Sequence, residues 1–520
     1  MTGDDLDMTL GDVVTDNAVR FPDVPAYRSG SRMVTHAQLR DRAVRLVSAL
    51  AAVGVRQQDR VAVLSRNSIE FGEVMAASQL SGIIMATVNF RLSALEVLDV
   101  LDRVAPSVVF CADEFAAVIT ELAPRLPSMP LLVCIGGTAR SDMVAFEEFI
   151  TSGDCGQLAF AARPHDIACL LFTSGTTGAS KCCILGQREL RRVAFTMNVE
   201  MRSGSADRGL INMPMFHVGA MAIIGGLHAR GGTVVLQQQF DTAEAVRIIA
   251  EHNITVLHLA PVMLRALLDV VTDARDLETV RTVIYSAAPI TADVLARAMS
   301  ALPSAGFLNL YGQTEAIVSG LPRELHVLDG PDAGEALRSV GFPFPGVRVR
   351  IVGDDGCDVP VGEAGEIVVR SDSVFRGYWD DPAATLATLR DGWCRTGDVG
   401  RCDGRGLLYL VDRKKDVIIT GGENVFSPEV EDVLSAHDAV AACAVIGAPD
   451  QKWGEAVCAV VVPTAGATLT LEAVQDFVRS RLAGYKVPRR LVFVAELPVL
   501  ASGKVDKKRL RADVAGAAAG

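Results

Sequence analysis

From Ala37 to Val53 the apolar residues of AQLRDRAVRLVSALAAV recur at helical spacing and stop at Gly54, which predicts a helix. RVAVLS at Arg60–Ser65 follows as a short continuous apolar run, the mark of a buried strand. SVVFCA at Ser107–Ala112 and LLVCIG at Leu131–Gly136 repeat that signal. Strands alternating with helices predict a parallel sheet covered on both faces. The pattern returns between Asp166 and Thr314, where TVVLQQ, TVLHLA and TVIYSA read as strands and AEAVRIIAEHN as an amphipathic helix. Two similar α/β halves are therefore expected. From Ser339 the texture changes: VRVRIVG and GEIVVRS are short strands split by turns such as GDDG at Gly353–Gly356. A last α+β segment carries ACAVIGA and VCAVVVP as strands, a helix at Leu471–Leu482 and a frayed tail, AGAAAG. The expected fold class is α/β. Its large N-terminal domain, residues 1–414, holds two α/β sheet units and a small β-barrel-like unit. A small mobile α+β C-terminal domain, residues 415–520, follows the charged DRKKD junction at Asp412–Asp416.

Composition narrows the function classes. A chain of 520 residues exceeds the ~250–300 residues at which single cores stop growing, so several units are required. Half the residues are hydrophobic and 22% are charged, which excludes disorder. The net charge of −12, with no markedly basic stretch, argues against nucleic-acid binding. Apolar runs such as Ala220–Leu227 stop short of the ~18–20 residues that span a bilayer. The acidic start MTGDDLDM lacks the apolar core of a signal peptide, so a cytoplasmic location is expected. Eleven cysteines without a C-x-x-C pair fit reduced, buried thiols better than disulfides or zinc ligands.

Lysine usage is uneven. Only Lys181 precedes residue 414, whereas arginine serves as the cation elsewhere. Lys181 closes LLFTSGTTGASK at Leu170–Lys181, an apolar strand running into a loop of glycines and hydroxyl residues. Glycines let backbone N–H groups turn toward an anion, hydroxyls donate, and the ammonium adds charge. This composition suits phosphate, although the order is not that of a Walker loop.

TSGTTG-x-x-K resembles the signature loop of the adenylate-forming superfamily, which contains acyl-CoA synthetases, peptide-synthetase adenylation domains and beetle luciferases. Further landmarks follow in the family's order. They are PMFHVG at Pro214–Gly219, YGQTE at Tyr311–Glu315, WCRTGD at Trp393–Asp398, DRKKDVIITGGENV at Asp412–Val425 and SGKVDKKRL at Ser502–Leu510. The resemblance implies that a carboxylate joins the α-phosphate of ATP, expels pyrophosphate, and passes as an acyl group to the thiol of coenzyme A. It implies that Thr173, Ser174, Gly175, Thr176, Thr177, Gly178 and Lys181 hold the β- and γ-phosphates. Glu315 would ligate Mg2+ as a hard oxygen donor, with Thr314 on the α-phosphate. Ala287, Ala288, Pro289, Tyr311 and Gly312 would flank adenine, while Asp398 and Arg413 clamp the ribose. His217 takes the family's gate position between the carboxylate and the thiol channel. Lys504 corresponds to the mobile lysine that bridges carboxylate and α-phosphate, and Lys415 to the hinge. Gly421, Gly422 and Glu423 resemble the loop lining the pantetheine tunnel, where missing side chains leave room.

Two departures stand out. Family loops usually read T-G-x-P-K-G, whereas Ala179 and Ser180 precede Lys181 and Cys182 follows it, which changes the loop's rigidity and not its charge. SAAP at Ser286–Pro289 replaces a commoner glycine-rich form.

Within the family three readings compete: an acid:CoA ligase, an adenylation enzyme loading a carrier-protein thiol, and a non-catalytic scaffold. Amino-acid loaders need an acid for the substrate ammonium where this chain has Phe216-His217, and none stands there. A scaffold would not need Lys504, Glu315 and Asp398, and all three are present. AGYKVPRR at Ala483–Arg490 also resembles the CoA-ligase branch. The acyl pocket is expected at Val218, Gly219 and Met221, with His258 as a polar contact, and no Lys or Arg is placed there for a second carboxylate. A hydrophobic monocarboxylate, fatty or bulky alicyclic, is favoured, with aryl acids second. The expected partners are thus a small carboxylic acid and CoA, with a homodimer left open and no nucleic acid or membrane segment.

Overall fold

The computed structural model describes residues 8–137, 142–173, 180–271, 273–288, 290–328, 333–421, 423–450, 452–499 and 505–517. Two compact units emerge. One comprises Met1–Arg348 with Val369–Cys394, the other Val349–Val368 with Arg395–Gly520. The strands at 349–368 and 395–413 thus pack with the C-terminal residues, whereas the expected 414/415 boundary marks a position along the chain.

The first unit holds two sheets. A seven-stranded sheet runs Val144–Ala145, Leu131–Ile135, Val108–Ala112, Arg60–Leu64, Ile84–Thr87, Ile167–Thr173 and Lys181–Gly186. Every pair is parallel except the last. A nine-stranded sheet is parallel through Arg208–Ile211, Thr233–Leu236, Val256–Leu259, Thr282–Ser286 and Gly306–Gln313. Its two ends close with antiparallel hairpins, so the expectation of purely parallel sheets holds only for their interiors. A hairpin needs only a short connection, which suits a sheet edge, whereas parallel neighbours need a crossover. Strand Pro25–Ser29 joins this sheet beside Thr233–Leu236, a pairing across some two hundred residues that no local pattern reveals.

The strands read from apolar runs are present, and so is the helix expected at 37–53. That helix spans His36–Ala52 and starts with a capping box between Thr35 and Gln38. The main core fills the space between the sheets, with Met85 and Leu171 from one and Val234 and Ile284 from the other. Helices Ile69–Ser81, Gln187–Met201 and Val218–His228 are threaded through it. Smaller cores lie on the outer faces, around Leu257, Leu259, Val283 and Tyr285 and around Leu64, Val109 and Cys111.

In the second unit, strands Arg348–Val352, Gly365–Arg370, Trp393–Cys402 and Leu408–Arg413 pair in that order, forming the expected small β unit. Strands Val440–Asp450 and Gly454–Pro463 form a long hairpin, and Ile418–Thr420 and Arg490–Phe493 both pair with Gly454–Pro463. The helix expected to reach Leu482 ends at Arg479, and a tight turn follows in which the Leu482 N–H bonds back to Val478. Helix Lys507–Ala517, which the sequence pattern did not reveal, forms because Leu510 and Val514 bury against Ile446 and Cys458; the last residues of the tail expected to fray, 518–520, lie outside the described residues. All eleven cysteines are free thiols. Among the described residues, no helix is long and apolar enough to cross a membrane.

Candidate active site

The hairpin of Ile167–Thr173 and Lys181–Gly186 sets Thr173 directly opposite Lys181. Ser174, Gly175, Thr176, Thr177 and Gly178, expected to hold phosphate, lie outside the described residues. The Lys181 ammonium stands 4.6 Å above the ring centre of Tyr378. The Tyr378 hydroxyl donates to Glu315 Oε1 at 2.7 Å, and both side chains are buried. One tyrosine therefore links the loop's cation to the expected metal carboxylate.

Backbone bonds explain how Tyr378 comes to bridge them. Thr314 and Glu315 are the two turn residues between paired Gln313 and Ala316. The Glu315 carbonyl accepts from Phe375 N–H at 2.8 Å. Further along, Ile184 N–H donates to Gly377 and Trp379 N–H to Cys182, so segment 375–379 is stitched between turn and hairpin. Burial and the neighbouring Glu315 charge raise the phenol of Tyr378 well above its ordinary value, keeping it a donor. The Cys183 thiol is pushed up by burial and by Glu315 as well, so it stays protonated and unreactive. Nothing in the sequence marks Tyr378, because its role rests on two contacts that are remote along the chain.

On the expected adenine side, register pairs Ser286 with Leu310, which brings Ala287 beside Tyr311 at one end of adjacent strands. Tyr311 is buried, and a Cβ at Gly312 would lie 2.9 Å from the Ala316 carbonyl, so only glycine fits that bulge. Ala287 sits at φ 72°, a left-handed conformation that costs an alanine roughly 1–2 kcal/mol. The departure from the glycine-rich form therefore leaves strain at this turn. Ala288 is exposed, and Pro289 lies outside the described residues.

His217 stands at the N-cap position of helix Val218–His228 without a side-chain capping bond, and the helix carries Val218, Gly219 and Met221 in its first turns. His258 lies on strand Val256–Leu259 and is 2% exposed. Its neighbours Leu257 and Leu259 pack in the outer core while Val256 packs in the central one. Strand alternation thus aims His258 inward, toward the helix. The ring confirms this, with Cε1 3.5 Å from where a Gly219 Cβ would stand. His258 Nε2 meets Ser286 Oγ at 2.8 Å, and burial pushes the imidazole down to about 4, so it is neutral.

In the second unit, strand register sets Asp398 against Arg413, whose Nε lies 2.6 Å from the carboxylate. Asp398 is 4% exposed while Arg413 remains reachable from solvent. Lys415 is exposed two residues on. Gly421 has φ 61°, and a Cβ there would lie 2.7 Å from the Trp453 ring, so a side chain is doubly excluded. Lys452 and Arg489 stand 4.7 and 4.3 Å from the centre of that indole, and Glu423 is exposed nearby in sequence. Gly422 and Lys504 lie outside the described residues. Among the described residues, no cluster of three or more His, Cys, Asp or Glu side chains could hold a metal ion alone. A single buried carboxylate such as Glu315 instead fits Mg2+ carried by a nucleotide, since that ion keeps waters and phosphate oxygens as its other ligands.

Known proteins share this architecture. Residues 14–379 match the family profile of the AMP-binding enzymes, and residues 429–504 match the AMP-binding enzyme C-terminal domain. A feruloyl-CoA synthase of Amycolatopsis sp is 35% identical over 508 residues, covering 96% of this chain and 98% of that protein. The fatty acid–acyl-carrier-protein ligase ScoC of Streptomyces coeruleorubidus is 32% identical, covering 97% and 96%. ATP-bound MatB from Rhodopseudomonas palustris superimposes with a TM-score of 0.87 at 27% identity, over 98% of this chain and 99% of that one. With the ordered motifs, two family domains and full-length relatives in agreement, the chain belongs to the AMP-binding enzymes, in the acyl-CoA synthetase branch of the adenylate-forming superfamily, and is an AMP-forming acid–thiol ligase.

Proposed function

We propose that this enzyme activates a hydrophobic monocarboxylic acid, fatty or bulky alicyclic, as its adenylate and transfers the acyl group to coenzyme A. The observation that carries the reading is the coupling of Lys181 to buried Glu315 through Tyr378 at the mouth of the Thr173–Lys181 hairpin. A cation and a hard carboxylate held this close suit a polyphosphate that brings its own divalent ion. Mg2+, when bound, would neutralise phosphate charge and polarise the phosphorus centre under attack. Glu315 would be its protein ligand, oriented by the Tyr378 hydrogen bond, and Thr314 would donate to the α-phosphate. Lys181 would balance the charge of the departing pyrophosphate.

Asp398 would accept from the ribose hydroxyls, fixed in direction by Arg413. Ala287, Ala288 and Pro289 with Tyr311 and Gly312 would frame the adenine. Lys504 would bridge carboxylate and α-phosphate while the adenylate forms, and the C-terminal residues would then turn about Lys415. Gly421, Gly422 and Glu423 would line the path of the thiol arm, and Trp453 with Lys452 and Arg489 offers a flat, cationic face beside that loop. Val218, Gly219, Met221 and His258 would line the acyl pocket, with His217 at its entrance. Apolar residues dominate there, which supports a monocarboxylate with a hydrophobic body.

Aryl acids are the second substrate class, supported by the relative named for feruloyl-CoA synthesis. A carrier-protein thiol is the second acceptor, supported by the relative named as an acyl-carrier-protein ligase. The test is AMP release from ATP over a panel of fatty, alicyclic, aryl and dicarboxylic acids, with CoA or a phosphopantetheinylated carrier protein as acceptor. The reading predicts the highest kcat/KM for fatty or alicyclic monoacids with CoA. It fails if only dicarboxylates are activated, or if CoA does not raise AMP release above that with no thiol.

A further inference from the structure

The acyl pocket contains one group that a purely hydrophobic substrate would not use. His258 is buried, and its Nε2 is occupied by the Ser286 hydroxyl at 2.8 Å. Its other ring nitrogen, Nδ1, is buried and has no hydrogen-bond partner among the described residues. Buried polar atoms of native proteins are almost always paired, and those left open usually serve a ligand or an ordered water. Packing alone does not explain a histidine here. The neighbouring inward-facing positions on this and the next strand, Val256 and Ile284, are aliphatic and complete the same core.

Geometry favours a ligand. The ring carbon between the two nitrogens, Cε1, stands 3.5 Å from where a Gly219 Cβ would be, so this position of the helix sets no side chain of its own against the histidine. Gly219 lies between Val218 and Met221 on the first turns of helix Val218–His228, the expected wall of the acyl pocket.

We propose that His258 reads an oxygen on the acyl group, so that the preferred substrate is a hydrophobic monocarboxylate bearing a hydroxyl or carbonyl group on its body. The inference rests on the acyl-pocket assignment of the proposed function and deepens it. Burial keeps the ring neutral at physiological pH, which leaves Nδ1 either a donor or an acceptor according to what Ser286 does at Nε2. If Ser286 donates to Nε2, the ring proton sits on Nδ1 and can be given to a carbonyl or a hydroxyl. If Nε2 donates to Ser286, Nδ1 accepts and only a hydroxyl can serve it. A deoxygenated analogue would bury Nδ1 against carbon in either case and lose the bond.

The experiment compares matched acids as substrates for CoA-dependent AMP formation by the full-length enzyme. Decanoate is set against 9-oxodecanoate and 10-hydroxydecanoate, and 3-cyclohexylpropanoate against its 4-oxo and 4-hydroxy derivatives. The wild type should favour at least one oxygenated acid over its parent by about 10- to 100-fold in kcat/KM. His258→Phe should bring that ratio close to one, and His258→Gln, which keeps a polar atom, should restore part of it. Preference for keto acids alone assigns the proton to Nδ1. The proposal is overturned if the parents are activated as well as their derivatives, or if His258→Phe keeps the preference, which would make His258 a water-bridged core histidine. Parents turned over without preference sink only the role of His258. Failure to activate any of these acids sinks the proposed function and this inference together.

Discussion

Tyr378 joins the two charged groups of the candidate phosphate site. Its ring lies under the Lys181 ammonium and its hydroxyl serves Glu315, so a single substitution separates the two contacts. Tyr378→Phe keeps the ring and removes the donor, leaving a buried carboxylate short of a hydrogen bond to charge, a loss of about 1.5–3 kcal/mol. Pyrophosphate release in single turnover should slow by about 10- to 100-fold at saturating ATP, and the folded state should lose a comparable free energy in denaturant titration. A rate within twofold of the wild type would show that Tyr378 does not position Glu315. The residue types at this site were readable: a lone lysine closing a Gly/Thr loop and an acid after Thr314 follow from phosphate chemistry and the ordered motifs. Tyr378 was not readable, because a tyrosine between Gly377 and Trp379 carries no chemical signal until the fold lays it across two distant strands.

Among the elements, helix Val218–His228 shows how local and tertiary demands diverge. Its small residues suggest a roomy acyl pocket, yet two glycines serve a different purpose. A Cβ on Gly225 would stand 2.9 Å from the Ala194 Cβ, and one on Gly226 would lie 2.9 Å from the Met197 Cβ. The glycines let this helix approach helix Gln187–Met201 closely. Helix propensity alone predicts that Gly225→Ala stabilises by about 1 kcal/mol. Overpacking in a tight core costs about 1–3 kcal/mol, so the tertiary term should win. The urea midpoint of Gly225→Ala should fall, and the KM for the acid should rise because the same helix carries Val218, Gly219 and Met221. A raised midpoint would refute the close-packing account. Element existence was legible wherever periodicity was strong, as in helix His36–Ala52 and strand Thr282–Ser286. Antiparallel sheet ends and the tail helix were not, because both depend on partners supplied by the fold rather than on their own pattern.

For the whole molecule the sharpest test separates the two half-reactions. If Lys504 neutralises charge only where carboxylate meets α-phosphate, Lys504→Ala should cut pyrophosphate release by ~10²–10³. Supplied with preformed acyl-adenylate and CoA, the same variant should form thioester at nearly the wild-type rate. Lys415→Pro should reverse the pattern, since a fixed φ at the pivot blocks rotation while leaving adenylation intact. Equal slowing of both halves in Lys504→Ala would remove the basis for a two-step division of labour.

What the sequence determined by itself was the inventory. Apolar periodicity specified most strands and helices, because a buried face imposes its repeat on the residues that form it. Six ordered motifs specified the family, because nucleotide chemistry restricts which side chains can stand at each step. Pairings between remote residues were decided only by tertiary structure. Lys181 reaches Glu315 through a tyrosine almost two hundred residues further along the chain. Strand alternation decides that His258 faces inward, with one ring nitrogen unpartnered among the described residues. Such relations are distances in space, and a linear order of residues constrains them only through the fold it produces.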